Sequence, residues 1–258
     1  MSYTIAVAGK GGTGKTTVAS LIIRDLVRRG IGPVLAVDAD PNSNLAEAFG
    51  VNVAHTIGGI MHEFLEKKID IPVGMTKESY LEVKLNAALE EGRGVDFLTL
   101  GRKHGPGCYC YPNLLLKNFV EKLSGNYRYV VIDNEAGMEH LSRRNVETVD
   151  LFILVSDHTV RGLRAAKRIN ELADDLNIRI VDRLLIVNRF REENGALLAP
   201  AVAQTGIAKV RAIPDDPEVL RSDVERTPVT AMPDDAPAVR AVADLLSEMT
   251  GEPAAAGA

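Results

Sequence analysis

This sequence of 258 residues has no long apolar run, only two cysteines and no excess of positive charge. No apolar stretch reaches the ~18 residues that a membrane-spanning helix needs, so we expect no membrane partner. The formal net charge of -5 argues against nucleic-acid binding through bulk positive charge, although it leaves room for a local basic patch. The segment from Met1 to Ala8 has no charged region or cleavage site of a signal peptide. We therefore expect a cytoplasmic protein that binds neither nucleic acid nor membrane.

The chain contains two cysteines, Cys108 and Cys110, which are separated by one residue. So short a spacing does not easily close a disulfide, and a metal or redox role is favoured over a pair of small apolar loop residues. Two thiolates supply half of a tetrahedral Cys₄ site, and a second copy of the chain across a two-fold axis would supply the rest. Soft sulfur ligands suit both Zn²⁺ and Ni²⁺. His104 is either an auxiliary ligand or, more simply, an exposed loop histidine.

Short apolar runs rich in β-branched residues alternate with amphipathic helical patterns along the chain. The runs are Tyr3 to Ala8, Val34 to Val37, Val95 to Leu100, Tyr129 to Ile132, Leu151 to Val155, Leu184 to Val187 and Ala208 to Ile213. Strands that are apolar on both faces indicate a mostly parallel sheet with helices on both faces. The sequence thus predicts one α/β domain over residues 1–250 and a flexible tail over 251–258. Residues 67–94 are predicted to form a partly helical surface insertion, and Ala236 to Met249 a last helix on the sheet.

The stretch GKGGTGKTT, from Gly9 to Thr17, follows an apolar run and opens a helical pattern. Strand, glycine loop and helix in this order, with Lys and Thr at the end of the loop, are typical of a P-loop NTPase. Backbone N–H groups of such a loop and of the helix N-terminus bind phosphate, and the alternative is a glycine-rich turn without a ligand. Lys15 would contact the β- and γ-phosphates of ATP or ADP, and the Thr16 hydroxyl would bind Mg²⁺. The predicted nucleotide-binding residues are Gly11, Gly12, Thr13, Gly14, Lys15, Thr16 and Thr17.

Lys10, at the start of this loop, is a cation that an ordinary P-loop does not need. With Lys10 included, the loop resembles the deviant Walker A motif of the family of MinD, ParA and the nitrogenase iron protein. The resemblance implies that Lys10 crosses a two-fold interface to the nucleotide of the partner subunit and acts in catalysis. It therefore implies a homodimer that closes over ATP. The alternative, for Lys10 taken alone, is a solvated loop lysine.

Asp40 lies in the sequence Asp38 to Asn42, directly after the second predicted strand. A carboxylate at the end of a strand beside a phosphate loop can hold the Mg²⁺ shell or orient the attacking water. The same resemblance implies that this segment is switch I and that Asp40 is the residue that activates water. The alternative is a strand-end Asp that caps the next helix, a role that fits Asn42 or Asn44 better than Asp38.

Asp133 ends the apolar run that begins at Tyr129. A carboxylate in this position resembles a Walker B acid, which holds Mg²⁺ through water, and the alternative is a turn Asp after a core strand. Gly137 would let a backbone N–H approach the γ-phosphate, so the resemblance implies that this loop is switch II. ATP binding is then expected to draw switch II toward the γ-phosphate and to move the cysteine-bearing loop with it.

Two further strand ends are candidates for the adenine pocket. Asn188 and Arg189 follow the run that ends at Val187, and the family places its base-reading Asn there. Pro214 and Asp215 follow the next predicted strand and would form the other wall of the pocket. An Asn at the end of a strand is also a common turn former, which is the alternative for Asn188.

Three passages together resemble the CooC family and the closely similar AcsF proteins. They are GKGGTGKTT at 9–17, GPGCYCYPN at 105–113 and DNEAGMEHLSRR at 133–144. CooC proteins are nickel-inserting ATPases of carbon monoxide dehydrogenase, and AcsF proteins serve acetyl-CoA synthase. The resemblance implies an ATPase that binds Ni²⁺ or Zn²⁺ at Cys108 and Cys110 across a dimer and inserts nickel into one of these enzymes. Two alternatives stay open, a positioning ATPase like MinD or ParA and a redox ATPase with a bridging iron–sulfur cluster.

Overall fold

The computed structural model describes residues 2–40, 44–66, 71–101, 118–134, 148–175 and 178–250. The predicted tail, 251–258, lies outside these ranges. The strands are β1 (Tyr3–Gly9), β2 (Val34–Asp38), β3 (Leu89–Glu91), β4 (Val95–Thr99), β5 (Tyr129–Asp133), β6 (Thr148–Asp157), β7 (Arg179–Phe190) and β8 (Lys209–Pro214). The helices are α1 (Lys15–Arg28), α2 (Asn44–Glu47), α3 (Ile57–Glu66), α4 (Lys77–Asn86), α5 (residues 118–124), α6 (Val160–Asp175), α7 (Gly195–Ala203), α8 (Pro217–Glu225) and α9 (Pro237–Thr250).

The strands form one sheet in the order β3-β4-β2-β5-β1-β6-β7-β8. All neighbouring pairs are parallel except β3 with β4, which is antiparallel. The central strand β1 pairs with β5 on one side and with β6 on the other, so its buried residues Ile5 and Val7 have strands on both flanks. Because parallel strands end at the same edge of a sheet, the loops after β1, β2, β5 and β7 meet at one site.

Helices cover both faces of the sheet. On one face, Val7, Ala36 and Val131 pack in a core with α1 and α9. On the other face, Val37 and Ile132 pack with α3, α4 and α5, while Ala8 and Leu154 pack with α6 and α7. Alternate residues of β2 and β5 therefore enter different cores, as expected of strands that are buried on both sides. The predicted fold, a single α/β domain with a mostly parallel sheet, is confirmed.

The edges of the sheet differ from the prediction. Strand β7 runs from Arg179 to Phe190, far beyond the predicted Leu184 to Val187. Its first half was missed because it mixes charged and apolar residues that stay partly exposed, and so gives no apolar run in the sequence. The antiparallel edge strand β3 was not predicted, since Leu89–Glu91 is short and acidic. The segment 67–94 is partly helical, as predicted, but it is not only a surface insertion. Leu81 and Leu85 of α4 are each 1% exposed and pack in the core of the sheet.

The last helix, α9, lies where the prediction places it. Val239, Val242 and Leu246 are buried in the same core as α1. Arg24 of α1 and Arg29, which directly follows α1, tie that helix to the C-terminal part of the chain. Arg24 donates a 2.6 Å hydrogen bond to the carbonyl of Met232, and Arg29 donates one of 2.6 Å to the carbonyl of Ala243. Within the described ranges, no helix is long and apolar enough to cross a membrane.

Candidate functional site

The glycine loop between β1 and α1 is closed by its own threonine. The Thr13 side chain is 1% exposed, and its hydroxyl donates a 2.8 Å hydrogen bond to the carbonyl of Lys10. Gly14 then adopts a left-handed conformation, with φ of 89°, directly before the first residue of α1. Lys15 is 7% exposed, whereas the Lys10 side chain is exposed. The loop thus holds one lysine inside the site and leaves the other accessible to a neighbouring molecule.

Thr16 and Asp133 meet across the site. The Thr16 hydroxyl donates a 2.5 Å hydrogen bond to Oδ2 of Asp133, which is 1% exposed. The other carboxylate oxygen of Asp133, Oδ1, is buried without a hydrogen-bond partner among the described residues. A hydroxyl and a carboxylate with a spare oxygen fit Mg²⁺, which binds through one or two protein oxygens, waters and substrate phosphates. The described residues contain no group of three or more His, Cys, Asp or Glu side chains that could hold a metal ion by themselves.

Asp38 caps the helix that follows it, a role that the sequence favours for Asn42 or Asn44. Its Oδ2 accepts a 2.8 Å hydrogen bond from the N–H of Leu45, in the first turn of α2, and its Oδ1 accepts one of 3.0 Å from the N–H of Asp40. The expectation that Asn42 or Asn44 caps this helix better than Asp38 is therefore wrong for Asn44, which is itself the first residue of α2. One side chain, that of Asp38, therefore holds both the backbone of the half-buried Asp40, in the predicted switch I, and the first turn of α2.

Asp38 and Asp133 lie side by side in register on β2 and β5. Burial, with a smaller contribution from the nearby Asp38 carboxylate, raises the pKa of Asp133 to about 7, although the Thr16 hydrogen bond and the Lys15 ammonium oppose the shift. Burial also raises the pKa of Asp38 to about 6, against the two backbone hydrogen bonds that it accepts. Two adjacent buried carboxylates are unfavourable when both are ionised, and a bound cation would relieve that repulsion.

The raised pKa of Asp133 predicts a pH-dependent stability of the protein without nucleotide or Mg²⁺. Because the folded-state pKa lies above the ordinary value of 3.8, the folded protein binds more protons, and its free energy of unfolding falls as pH rises through about 7. Asp133→Asn cannot ionise and still offers Thr16 an oxygen. In EDTA we expect it to melt about 5 °C above the wild type at pH 8 and near the wild type at pH 4. Thermal melts across this range check the prediction, and parallel curves for the two proteins would contradict it.

Asn188, at the end of β7, contacts the phosphate loop directly. Its side-chain Nδ2 donates a 2.9 Å hydrogen bond to the carbonyl of Thr13, and the residue is 7% exposed. The predicted base-reading amide therefore also supports the glycine loop. Arg189, which follows it, is exposed and has a φ of 53°, a left-handed conformation that is uncommon for a residue other than glycine. This conformation coincides with a register shift in the pairing of β7 with β8 between Val187 and Phe190, beside the predicted adenine pocket.

Arg191 and Asp216 support the other predicted wall of this pocket, and neither was predicted to do so. Arg191 contacts Oδ2 of Asp215 through Nη2 at 2.7 Å and through Nε at 3.2 Å, and the N–H of Asp215 donates to the carbonyl of Phe190. Asp216 caps two helices, since its carboxylate oxygens accept hydrogen bonds from the N–H groups of Glu218 and Ala238 at 2.9 and 2.8 Å. An Asp followed by Pro and Glu is an N-cap signal, but nothing local to the sequence identifies Arg191.

The structure thus brings together Lys15, Thr16, Asp40, Asp133 and the loop-supporting Asn188. Pro214 pairs with Phe190 at the ends of β8 and β7, so the two predicted pocket walls are neighbours. Other predicted site residues lie outside the described residues, and these are Asn42, His104, Cys108, Cys110 and Gly137.

Comparison with known proteins places this site among nucleotide-binding domains. Residues 4–229 match the family described as the CobQ/CobB/MinD/ParA nucleotide binding domain. An uncharacterized ATP-binding protein of Methanocaldococcus jannaschii is 40% identical over 232 residues, which cover 89% of this chain and 91% of that protein. The carbon monoxide dehydrogenase accessory protein CooC of Rhodospirillum rubrum is 32% identical over 188 residues, which cover 69% of this chain and 71% of that protein.

Among solved structures, the septum site-determining protein MinD of Pyrococcus horikoshii, in complex with Mg-ADP, has the same fold. Its TM-score is 0.68 at 23% sequence identity, and the match covers 96% of both chains.

Proposed function

Because this chain belongs to the CobQ/CobB/MinD/ParA nucleotide-binding family and is an ATPase of the MinD/ParA type, we propose that it uses ATP hydrolysis to insert nickel into a metalloenzyme. The enzyme would be carbon monoxide dehydrogenase or acetyl-CoA synthase, and nickel would be the cargo. The observation that carries this proposal is the Cys108 and Cys110 pair, in a chain that resembles a carbon monoxide dehydrogenase accessory protein.

The nucleotide would bind to the residues that the fold brings together. The N–H groups of residues 11–17 would bind the phosphates, and Lys15 would neutralise charge on the β- and γ-phosphates. Thr16 and Asp133 would hold Mg²⁺, which supplies charge neutralisation at the phosphates when it is bound. Asp40 would orient the attacking water from its position at the end of β2. Asn188 and Arg189, with Pro214 and Asp215, would enclose the base.

The metal site would need two copies of the chain. Cys108 and Cys110 of one protomer and the same pair of its partner would complete a Cys₄ site for Ni²⁺ or Zn²⁺. The exposed Lys10, which can reach a neighbouring molecule, supports a homodimer that closes over ATP. We place this activity in the cytoplasm, where ATP and reduced thiols are both present.

Coupling of the nucleotide site to the metal site requires that the metal bind one nucleotide state of the protein better than the other. The end of β4 supports such a connection. The N–H of Leu100 donates a 2.8 Å hydrogen bond to the backbone carbonyl of Asp38, in the predicted switch I. After Gly101 the chain continues into the segment 102–117, which carries both cysteines. A change in switch I would therefore act next to the start of the cysteine-bearing segment.

The double variant Cys108→Ala, Cys110→Ala tests the nickel proposal. We expect it to keep the wild-type ATPase rate, because the cysteines are remote in sequence from the P-loop, and to bind neither Ni²⁺ nor Zn²⁺ in equilibrium dialysis. The wild type should bind one metal ion per two chains. The single variant Cys108→Ala is the matched control, since it leaves two thiolates per dimer and should bind the metal at least about tenfold more weakly. Undiminished nickel binding by the double variant would refute the proposal.

Two other outcomes would point to the alternative functions. ATP-dependent co-sedimentation of the protein with liposomes or with DNA would favour a positioning ATPase. Iron–sulfur absorption in the ultraviolet-visible spectrum of anaerobically purified protein would favour a bridged redox site.

A further inference from the structure

Thr99, the last residue of β4, carries a hydroxyl with no hydrogen-bond partner in the described part of the chain, although the residue is only 1% exposed. A buried hydroxyl without a partner is costly, and native proteins rarely keep one without a reason. Val has nearly the same shape as Thr but carries no hydroxyl, so it would fill this position without that cost. Such a hydroxyl can gain a partner in another state of the protein if an acceptor lies beside it.

The position of Thr99 identifies its candidate partner. Thr99 is the register partner of Asp38, and Asp38 is in turn the register partner of Asp133. Paired residues of parallel strands point to the same face of the sheet. Ala36 and Phe97, which lie two residues earlier on the same strands, are both in the core that contains α1. The hydroxyl of Thr99 and the carboxylates of Asp38 and Asp133 thus form one polar row on the face that carries the P-loop helix.

The backbone on both sides of this row is fixed. The N–H of Leu100 donates to the carbonyl of Asp38 at 2.8 Å, and the N–H of Ala39 donates to the carbonyl of Asp133 at 2.9 Å. The end of β2 is therefore tied to the end of β4 through Asp38 and to the end of β5 through Ala39. Any movement of switch I toward a nucleotide must begin at Asp40.

Such a movement would leave one oxygen of Asp38 without its donor. In this structure Oδ1 of Asp38 accepts from the N–H of Asp40 and Oδ2 accepts from the N–H of Leu45. When Asp40 turns toward the attacking water, its N–H leaves Oδ1, and a buried carboxylate with an unsatisfied oxygen is strongly disfavoured. The hydroxyl in the neighbouring register position can take over that hydrogen bond.

We propose that Thr99 is a positioning residue for ATP hydrolysis, which donates to the Asp38 carboxylate in the state where Asp40 has moved to the nucleotide. With Thr99 as its new donor, the Asp38 carboxylate still accepts the hydrogen bond from the N–H of Leu45. Asp40 can then move while the start of α2 stays in place. The inference concerns the ATPase reaction alone and does not depend on nickel.

The variants Thr99→Val and Thr99→Ser test this role in a steady-state ATPase assay. We expect Thr99→Val to lower kcat about tenfold and to leave the KM for ATP within about twofold of the wild type, because the hydroxyl acts only after binding. Its melting temperature without nucleotide should not fall, since the substitution removes an unsatisfied hydroxyl. Thr99→Ser keeps the hydroxyl and should retain most of the wild-type kcat.

Two controls separate this role from a general effect on packing. Ser20, in α1, also has a buried hydroxyl without a partner among the described residues, and Ser20→Ala should leave kcat unchanged. In the Asp38→Asn background, Thr99→Val should cause no further loss of kcat, because its partner is already altered. A wild-type kcat for Thr99→Val, or a tenfold loss that persists in the Asp38→Asn background, would overturn the proposal.

Discussion

Lys15→Ala is expected to abolish measurable ATP binding and to lower the ATPase rate by roughly 10³-fold. Lys15 is 7% exposed, at the first position of α1, where its ammonium would face the phosphates with little competition from water. The Lys15 charge also opposes the raised pKa of the nearby Asp133, so the variant loses a cation from a site that already holds two carboxylates. Isothermal titration with ATP and Mg²⁺ checks the binding, and a thermal melt confirms that the variant is folded.

Lys10→Ala is the matched control, because it removes a lysine from the same loop but from an exposed position. If Lys10 acts across a dimer, this variant should still bind ATP as a monomer but should lose ATP-dependent dimerisation and hydrolysis. Sedimentation of each variant with ATP, with ADP and without nucleotide measures its dimerisation and so distinguishes the roles of the two lysines. Undiminished ATP binding by Lys15→Ala would refute the P-loop assignment, and an ATP-dependent dimer of Lys10→Ala would refute the intersubunit role.

Gly14→Ala is expected to destabilise the phosphate loop severely, by about 3 to 4 kcal/mol in the free energy of unfolding. Gly14 has a φ of 89°, and a Cβ atom at this position would lie 2.2 Å from Nδ2 of Asn188. Asn188 cannot easily move away, because the same Nδ2 donates to the carbonyl of Thr13. The loop must therefore shift or lose its support from β7. Chemical denaturation measures the change in stability.

Gly12→Ala separates conformational strain from the steric clash. Gly12 has a similar φ of 81°, but a Cβ atom there would meet nothing within 4 Å. It should therefore cost only the strain of about 1 to 2 kcal/mol. Adding Asn188→Ala to Gly14→Ala should recover part of the stability, so that the double variant is less destabilised than the sum of the single variants. Strict additivity would show that the two residues do not compete for the same space.

The phosphate loop and Asp133 could be predicted because their signals are local. Strand, glycines, Lys and Thr follow one another within a few residues, and the chemistry of phosphate binding needs them in that order. The cores on both faces of the sheet were likewise visible, as apolar runs at the strand spacing. Leu81 and Leu85 were not recognised as core residues, because the charged residues around them give α4 little apparent amphipathicity in the sequence.

The support for the site could not be predicted in the same way. The capping role of Asp38 depends on where α2 begins, and the contact between Arg191 and Asp215 joins the loops after two separate strands. Asn188 was predicted as a base reader, but its hydrogen bond to Thr13 joins residues 175 positions apart in the chain. No periodicity or motif encodes such a pair, since it exists only after β1, β6 and β7 have aligned.

The sequence by itself determined that this chain is an α/β P-loop protein, and it named the candidate phosphate-binding residues, Mg²⁺ ligands and thiolates. Short motifs suffice for this, because the backbone geometry that binds an anion is set by neighbouring residues. Only the tertiary structure decided that Asp38, Asp133 and Thr99 form one buried polar row. The register between parallel strands from distant parts of the chain fixes that row, and burial there raises the pKa values of its two carboxylates.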